Sequence, residues 1–291
     1  MYNMTILGLC NLLTPGLLTA MNSLGAGGAQ SPQLVNAANA AIFCLMVVSC
    51  YFSTAIVRYI GIKHAQARSQ LGHAYYFSIG YAPYAAGLYL NNRYGVEWLV
   101  LLGAVLCGIS AGLCWAVEAA IAIAYPEPWN KGRALGWWLT FRLLGQVLGG
   151  AINLGLNSDR NEAGKVSYTV YLVFITLQAL GLVVSFFLTP PGKVERRDGV
   201  RVSLAILDRP WREMKATTKN FLRPQFLLIL LWIGQAVSAE AVMFTYLALW
   251  FSVRARALES FLGGVIGILA GNAAGDDHHS EAPSYPKINL G

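Results

Sequence analysis

Apolar stretches of membrane-spanning length alternate along this chain with short, mostly basic intervals, and that alternation predicts an all-α, multi-pass membrane protein. No charged residue occurs from Met1 to Val57. As one helix that stretch would be about 85 Å long, almost three times the ~30 Å hydrocarbon core, so it must break. Gly25-Ala26-Gly27-Gly28-Ala29-Gln30-Ser31-Pro32-Gln33 supplies the break. It separates a first span near Met4 to Leu24 from a second near Asn36 to Val57. A third is expected over about Leu71 to Leu90, a fourth and fifth within Trp98 to Leu156, and a sixth from Tyr168 to Leu188. After Pro190-Pro191-Gly192 comes a long basic interval through Arg223, then a seventh span, Gln225 to Phe251. A shorter apolar stretch, Leu258 to Asn272, would be only about 22 Å long as a helix. The pattern divides the chain into a six-span bundle (residues 1–189), a basic loop (190–224), the first one or two helices of a second bundle (225–272) and a polar, disordered tail (273–291).

Within the basic loop, Trp211, Met214, Thr218 and Phe221 recur at helical spacing, with Pro210 suited to a first helical turn. This predicts a basic amphipathic helix lying on the membrane surface. The region from Trp98 to Leu156 reads as a helical hairpin whose charged turn runs from Tyr125 to Arg133. Its first arm carries Glu118 and its second Arg142. Measured from the two ends of the turn, these lie about 10 and 13 Å deep. The depths match within a turn, so a buried Glu118–Arg142 pair is expected, either fixing the two helices or facing a cavity where it rearranges or binds substrate.

Composition agrees with the pattern. Of 291 residues 56% are hydrophobic and only 12% charged, against about 25% in soluble domains. The formal net charge of +7 comes from short runs between spans, which is a topology signal and not a nucleic-acid face. With the N-terminus in the cytosol, fourteen loop lysines and arginines lie inside and five outside, the latter including Arg254 and Arg256. The long loop is therefore expected to be cytosolic. All five cysteines fall in apolar segments without paired spacing and read as packing residues.

Other chemistry is sparse. Glu240 sits near the middle of the seventh span with no basic partner in that span; it either stays neutral and hydrogen-bonded or couples protons, and Gln235 is its nearest polar neighbour in sequence. Glycines four apart (108/112, 132/136, 145/149 and 263/267/271) predict close helix approach. The glycines of residues 25–28 lack the strand and Lys-Ser/Thr of a phosphate loop. Asp276-Asp277-His278-His279 could ligate a metal, but a solvated tail is the expectation. No Ser/His/Asp, metal or cofactor constellation converges, so neither an enzyme nor a cofactor is expected. The partners expected are the bilayer, a small solute or ion, or another membrane protein.

Tyr2-Asn3-Met4 with Gly8, Pro15-Gly16, the Leu24-to-Gly28 run, Tyr125-Pro126-Glu127-Pro128 with Lys131-Gly132-Arg133, and Phe251-to-Leu258 together resemble the Unc-ninety-three-like branch of the major facilitator superfamily in its fungal form. The likeness covers about Met1 to Asn272. The superfamily's loop signature is present only as Gly61-Ile62-Lys63-His64, without its acid. The resemblance implies a bundle whose first, fourth and seventh helices line a central cavity, and a second half of which this chain carries only the start. It implies a proton-linked transporter; alternatively, since animal members regulate channels or escort receptors, a non-transporting accessory or trafficking subunit.

Overall fold

The computed structural model describes residues 2–23, 32–64, 79–127, 130–159, 161, 166–189, 194 and 210–280. Every regular element among them is helical. Among the described residues six helices are long and apolar enough to cross a bilayer: Tyr2–Ser23, Gln33–Ile56, Glu97–Ala124, Lys131–Leu156, Tyr168–Ser185 and Pro224–Leu247. This is a multi-pass membrane protein.

The first span is interrupted. α1 (Tyr2–Asn11) runs into a widened π turn, Leu12–Gly16, and continues as α2 (Leu17–Ser23). Pro15 lies inside that turn. Proline has no N–H and clashes with the preceding turn, and a π bulge accommodates both defects without ending the helix. α3 (Pro32–His64) is the second span, continued well past the bilayer thickness. Of the predicted third span, residues 71–78 lie outside the described part. α4 (Tyr81–Tyr94) forms the described part of that span and stops at Gly95, whose positive φ of 72° closes the helix in a left-handed turn.

α5 (Glu97–Ala124) and α6 (Lys131–Leu156) form the predicted hairpin, and α7 (Tyr168–Ser185) follows. α8 (Pro210–Phe221) is the expected amphipathic helix, α9 (Pro224–Trp250) the seventh predicted span. The last helix differs from expectation. α10 (Val253–Ser280) is continuous, so residues 273–280, read as tail, are helical.

Glycine sets the packing, at only some of the positions its spacing suggested. A Cβ on Gly16 would stand 2.6 Å from the Arg142 carbonyl oxygen and 2.9 Å from the Gly145 Cα, so the π turn and α6 touch backbone to backbone. Gly108 and Gly112 bring α5 equally close to α3, and Gly149 receives Ala20. Gly132, Gly136 and Gly271 meet nothing within 4 Å. The close approach of α10 to α6 uses Gly150 and Gly264 instead: a Cβ on Gly150 would lie 2.6 Å from the Phe261 nitrogen.

One end of the bundle is tied by side chain to backbone bonds. Tyr2 Oη donates to the Phe187 carbonyl (3.1 Å), the Thr189 N–H to Asn3 Oδ1 (3.1 Å), and Tyr125 Oη to the Thr189 carbonyl (3.0 Å). Burial in the turn after α5 pushes the Tyr125 hydroxyl above its ordinary pKa, so it stays a donor.

Candidate functional site

Glu118 is turned into the bundle, with 5% of its surface exposed. Its Oε2 accepts from Trp138 Nε1–H at 3.1 Å, and its Oε1 from the Cys114 thiol, one turn earlier on α5, at 3.2 Å. Arg142 does not complete the pair expected from the sequence. Its guanidinium lies over Trp115, 5.5 Å from the ring centroid, and Trp115 packs edge-on against Trp138 with centroids 5.6 Å apart. Acid and base are therefore joined through two indoles, and no ion pair links them among the described residues. The cause is register. From the true helix ends, Glu118 is about 9 Å above Ala124, Trp138 about 10 Å above Lys131, and Arg142 about 16 Å above it. The residue level with the acid is the tryptophan.

Other polar side chains are buried elsewhere in the bundle, one of them close to this centre. Asn11, at the end of α1 where the π turn begins, is fully buried, and both its amide atoms lack a hydrogen-bond partner among the described residues. Tyr81 of α4 is also fully buried, its hydroxyl equally unpartnered, and stands within electrostatic range of both Glu118 and Arg142. Gln178 of α7 reaches Met21 Sδ with its Nε2 at 3.5 Å, but its Oε1 has no partner. Buried polar groups are nearly always hydrogen-bonded to protein or to ordered water. Unfilled bonding capacity on α1, α4 and α7, together with a buried carboxylate held by a thiol and an indole N–H, gives an otherwise apolar bundle polar points in its interior.

A second polar cluster lies toward the opposite end, where α4 and α6 finish and α7 and α10 begin. Asn157 Nδ2 donates to Asn153 Oδ1 at 2.7 Å, Asn157 Oδ1 accepts from the Ser167 N–H at 3.0 Å, and Asn92 Nδ2 donates to the Val166 carbonyl at 3.3 Å. Arg256 is fully buried beside this cluster, within electrostatic range of Tyr171. Counted from sequence as a loop cation, it is instead an interior residue one turn into α10. Removing it from the outside set strengthens the charge asymmetry.

The remaining sequence candidates are elsewhere. Gln235 and Glu240 are both exposed on α9, and Glu240 lies close enough to Glu259 of α10 for the carboxylates to repel. They join neither polar cluster. No group of three metal-ligating side chains occurs among the described residues, and the side chains of Asp276 to His279 lie outside them. Sequence reasoning missed Trp138, Cys114, Trp115, Tyr81 and Asn11. Spacing held a partial signal: Cys114 lies four residues before Glu118 and Trp138 four before Arg142, so each shares a helix face with a charge.

No protein-family model matches the chain. It is 39% identical over 269 residues to "Notoamide biosynthesis cluster protein O'" of Aspergillus versicolor, covering 92% of this chain and 56% of that protein. It is 31% identical over 229 residues to UNC93-like protein 1 of Arabidopsis thaliana, covering 77% of this chain and 47% of the relative. An UNC93-like protein of Schizosaccharomyces pombe is 30% identical over 190 residues, which is 64% of this chain and 35% of that one. The chain thus spans about half the length, or less, of the curated relatives it matches.

Proposed function

We propose that this chain, a member of the UNC93-like family of membrane proteins, is the substrate-facing first half of a secondary transporter of the major facilitator type, and that it moves a small solute or ion coupled to protons. The observation that carries this reading is the carboxylate of Glu118: buried at membrane depth, bonded among the described residues by an indole N–H and a thiol, with the unpartnered hydroxyl of buried Tyr81 within electrostatic range. Ionisable groups inside a bilayer are costly, and those that persist commonly serve ion or proton pathways. A carboxylate with neutral donors can exist with or without its proton. Trp138 bonds Glu118 across the two helices, so any shift of α5 against α6 would change how firmly the carboxylate holds its proton. In a two-halves mechanism the rocking of one bundle against the other would make that shift. The relative encoded in a fungal biosynthesis cluster suggests a small organic molecule as cargo.

The test is reconstitution of this half together with the second half that the mechanism requires, in proteoliposomes loaded with a pH-sensitive dye and challenged with a solute panel, with and without an imposed proton gradient. Solute-dependent proton entry that disappears in Glu118→Gln is the expected result. Proton entry that persists in Glu118→Gln removes the carboxylate from the mechanism. No solute-dependent flux in any condition favours the other reading, a membrane accessory subunit, which the exposed face of α9 supports by offering a long apolar surface for a second membrane protein.

A further inference from the structure

The cleft between α8 and α3 has no part in the transport reading, yet it has the shape and chemistry of a ligand site. It is an open groove of about 610 Å³ lined by Tyr51, Trp211, Met214, Lys215, Thr218, Lys219 and Leu222. A volume of that order is typical of small-molecule sites. One wall is apolar. Met214 is buried against the bundle, whereas Trp211 and Leu222 are 72% and 70% exposed. The rim is cationic: Lys215 and Lys219 are one helical turn apart and so project from the same side of α8. Tyr51 Oη and Thr218 Oγ1 share a hydrogen bond of 2.8 Å that pins α8 to α3 at the centre of the cleft.

Two independent distances place this cleft at the membrane–water boundary. Along α3, Tyr51 lies about 28 Å from Pro32, nearly the full ~30 Å hydrocarbon thickness, so it reaches the far interface from the end where α3 begins. From the other direction, α9 enters the membrane at Pro224, immediately after Arg223, and Phe221 of α8 packs edge-on against Phe226 at 6.0 Å. α8 therefore lies in the interfacial plane, where tryptophan and lysine both partition favourably.

We infer that this cleft binds an anionic phospholipid of the leaflet on the side of the basic loop. Its phosphate would rest on Lys215 and Lys219 and its acyl chains would run along Trp211, Leu222 and Tyr51 into the bilayer. The charge argues for an anionic headgroup. The apolar wall, which continues into the span of α9, argues for a lipid in preference to a soluble phosphate. Bound there, the lipid would bridge α8 to α3 beside the Tyr51–Thr218 bond and hold the loop against the bundle.

The experiment uses the full chain in nanodiscs and in detergent, with phosphatidylserine, phosphatidylcholine and soluble glycerophosphoserine as the three probes. Competition of labelled lipids read by native mass spectrometry should show phosphatidylserine retained in preference to phosphatidylcholine. Lys215→Gln with Lys219→Gln should cut that preference by roughly five-fold per lysine, since each interfacial cation contributes about 1 kcal/mol. Lys215→Arg with Lys219→Arg should retain it, which separates charge loss from misfolding. Lys131→Gln with Arg133→Gln, exposed cations at the hairpin turn, should leave it largely intact. Equal retention of the two lipids, an unchanged preference in the lysine double variant, or a loss as large from the hairpin variant would each overturn the inference. So would displacement of the lipid by glycerophosphoserine at equal concentration, because the apolar wall would then contribute nothing.

Discussion

α5 and α9 are two helices of nearly equal length, 28 and 27 residues, both strongly apolar, each with one carboxylate far from its ends. Their environments are opposite. α5 is half buried, packed between α3, α4 and α6, and its Glu118 is enclosed and twice hydrogen-bonded. α9 has almost none of its spanning surface covered, and its Glu240 is exposed. Hydropathy cannot distinguish these cases, because lipid and protein interior are equally apolar. What separates them is the small-residue content of the contact face. α5 offers Gly103, Gly108 and Gly112 to its neighbours' backbones, whereas the Gly234 of α9 meets nothing within 4 Å. In lipid, association rests on van der Waals contact between close backbones and on interhelical hydrogen bonds, and α5 has both.

The comparison breaks most visibly at the glycines. A Cβ on Gly145 would overlap the Leu12 carbonyl oxygen and stand 2.8 Å from the Gly16 Cα, where only backbone could yield. Gly145→Val is expected to destabilise by about 3 kcal/mol or more, enough to abolish a monodisperse species in detergent. Gly234→Ala should instead stabilise by up to about 1 kcal/mol through helix propensity alone. Thermal unfolding followed by tryptophan fluorescence compares them, and similar shifts in both would mean that α9 is as tightly packed as the bundle.

Next comes the acid. Glu118→Gln and Trp138→Phe should be coupled by about 1.5 to 3 kcal/mol, the range for a hydrogen bond to a charged group. Glu118→Gln and Arg142→Gln should be nearly additive, within about 0.5 kcal/mol, because two indoles intervene. A double-mutant cycle with the larger coupling on Arg142 would restore the direct pair. A smaller effect tests the intermediate link. Trp115→Leu removes the ring beneath the Arg142 guanidinium and should cost about 0.5 to 2 kcal/mol beyond the loss of buried area, a difference that disappears when Arg142 is already glutamine.

How far the sequence could be read follows from the same residues. The spans on α1–α3, α5–α7 and α9, the hairpin and the amphipathic α8 were legible because each rests on a periodicity or a length that one segment carries by itself. The residue bonded to Glu118 was not, since it depends on where α6 starts. Taking Arg133 instead of Lys131 as the end of the turn, and charge as the only criterion for a partner, selected Arg142 over Trp138. Arg256 was misplaced for a related reason. A cation after a span reads as a loop residue unless the next helix is known to begin at Val253, one turn before the arginine is carried inside. Asn11 was invisible because a single amide in an apolar run has no pattern; only the π turn beside it shows that the backbone there is already irregular.

The smallest expected effect belongs to Glu240, and it is the sharpest probe of the comparison. On an exposed face of α9, Glu240→Gln removes no hydrogen bond found among the described residues and relieves the repulsion with Glu259. The change in unfolding free energy should stay within about 0.5 kcal/mol, the usual range for exposed positions. A carboxylate exposed to hydrocarbon is costly, though, so this helix has much to gain from a cover. If a second membrane segment does cover α9 and pairs with the carboxylate, Glu240→Gln would leave that partner unsatisfied, and the cost would rise to about 1 to 3 kcal/mol. The effect would then depend on protein concentration for a second copy of the chain, and on co-expression for a different partner. A concentration series of unfolding midpoints for wild type and Glu240→Gln separates the cases: parallel, concentration-independent midpoints keep α9 bare, whereas midpoints that diverge as protein is added show that this helix is an interface.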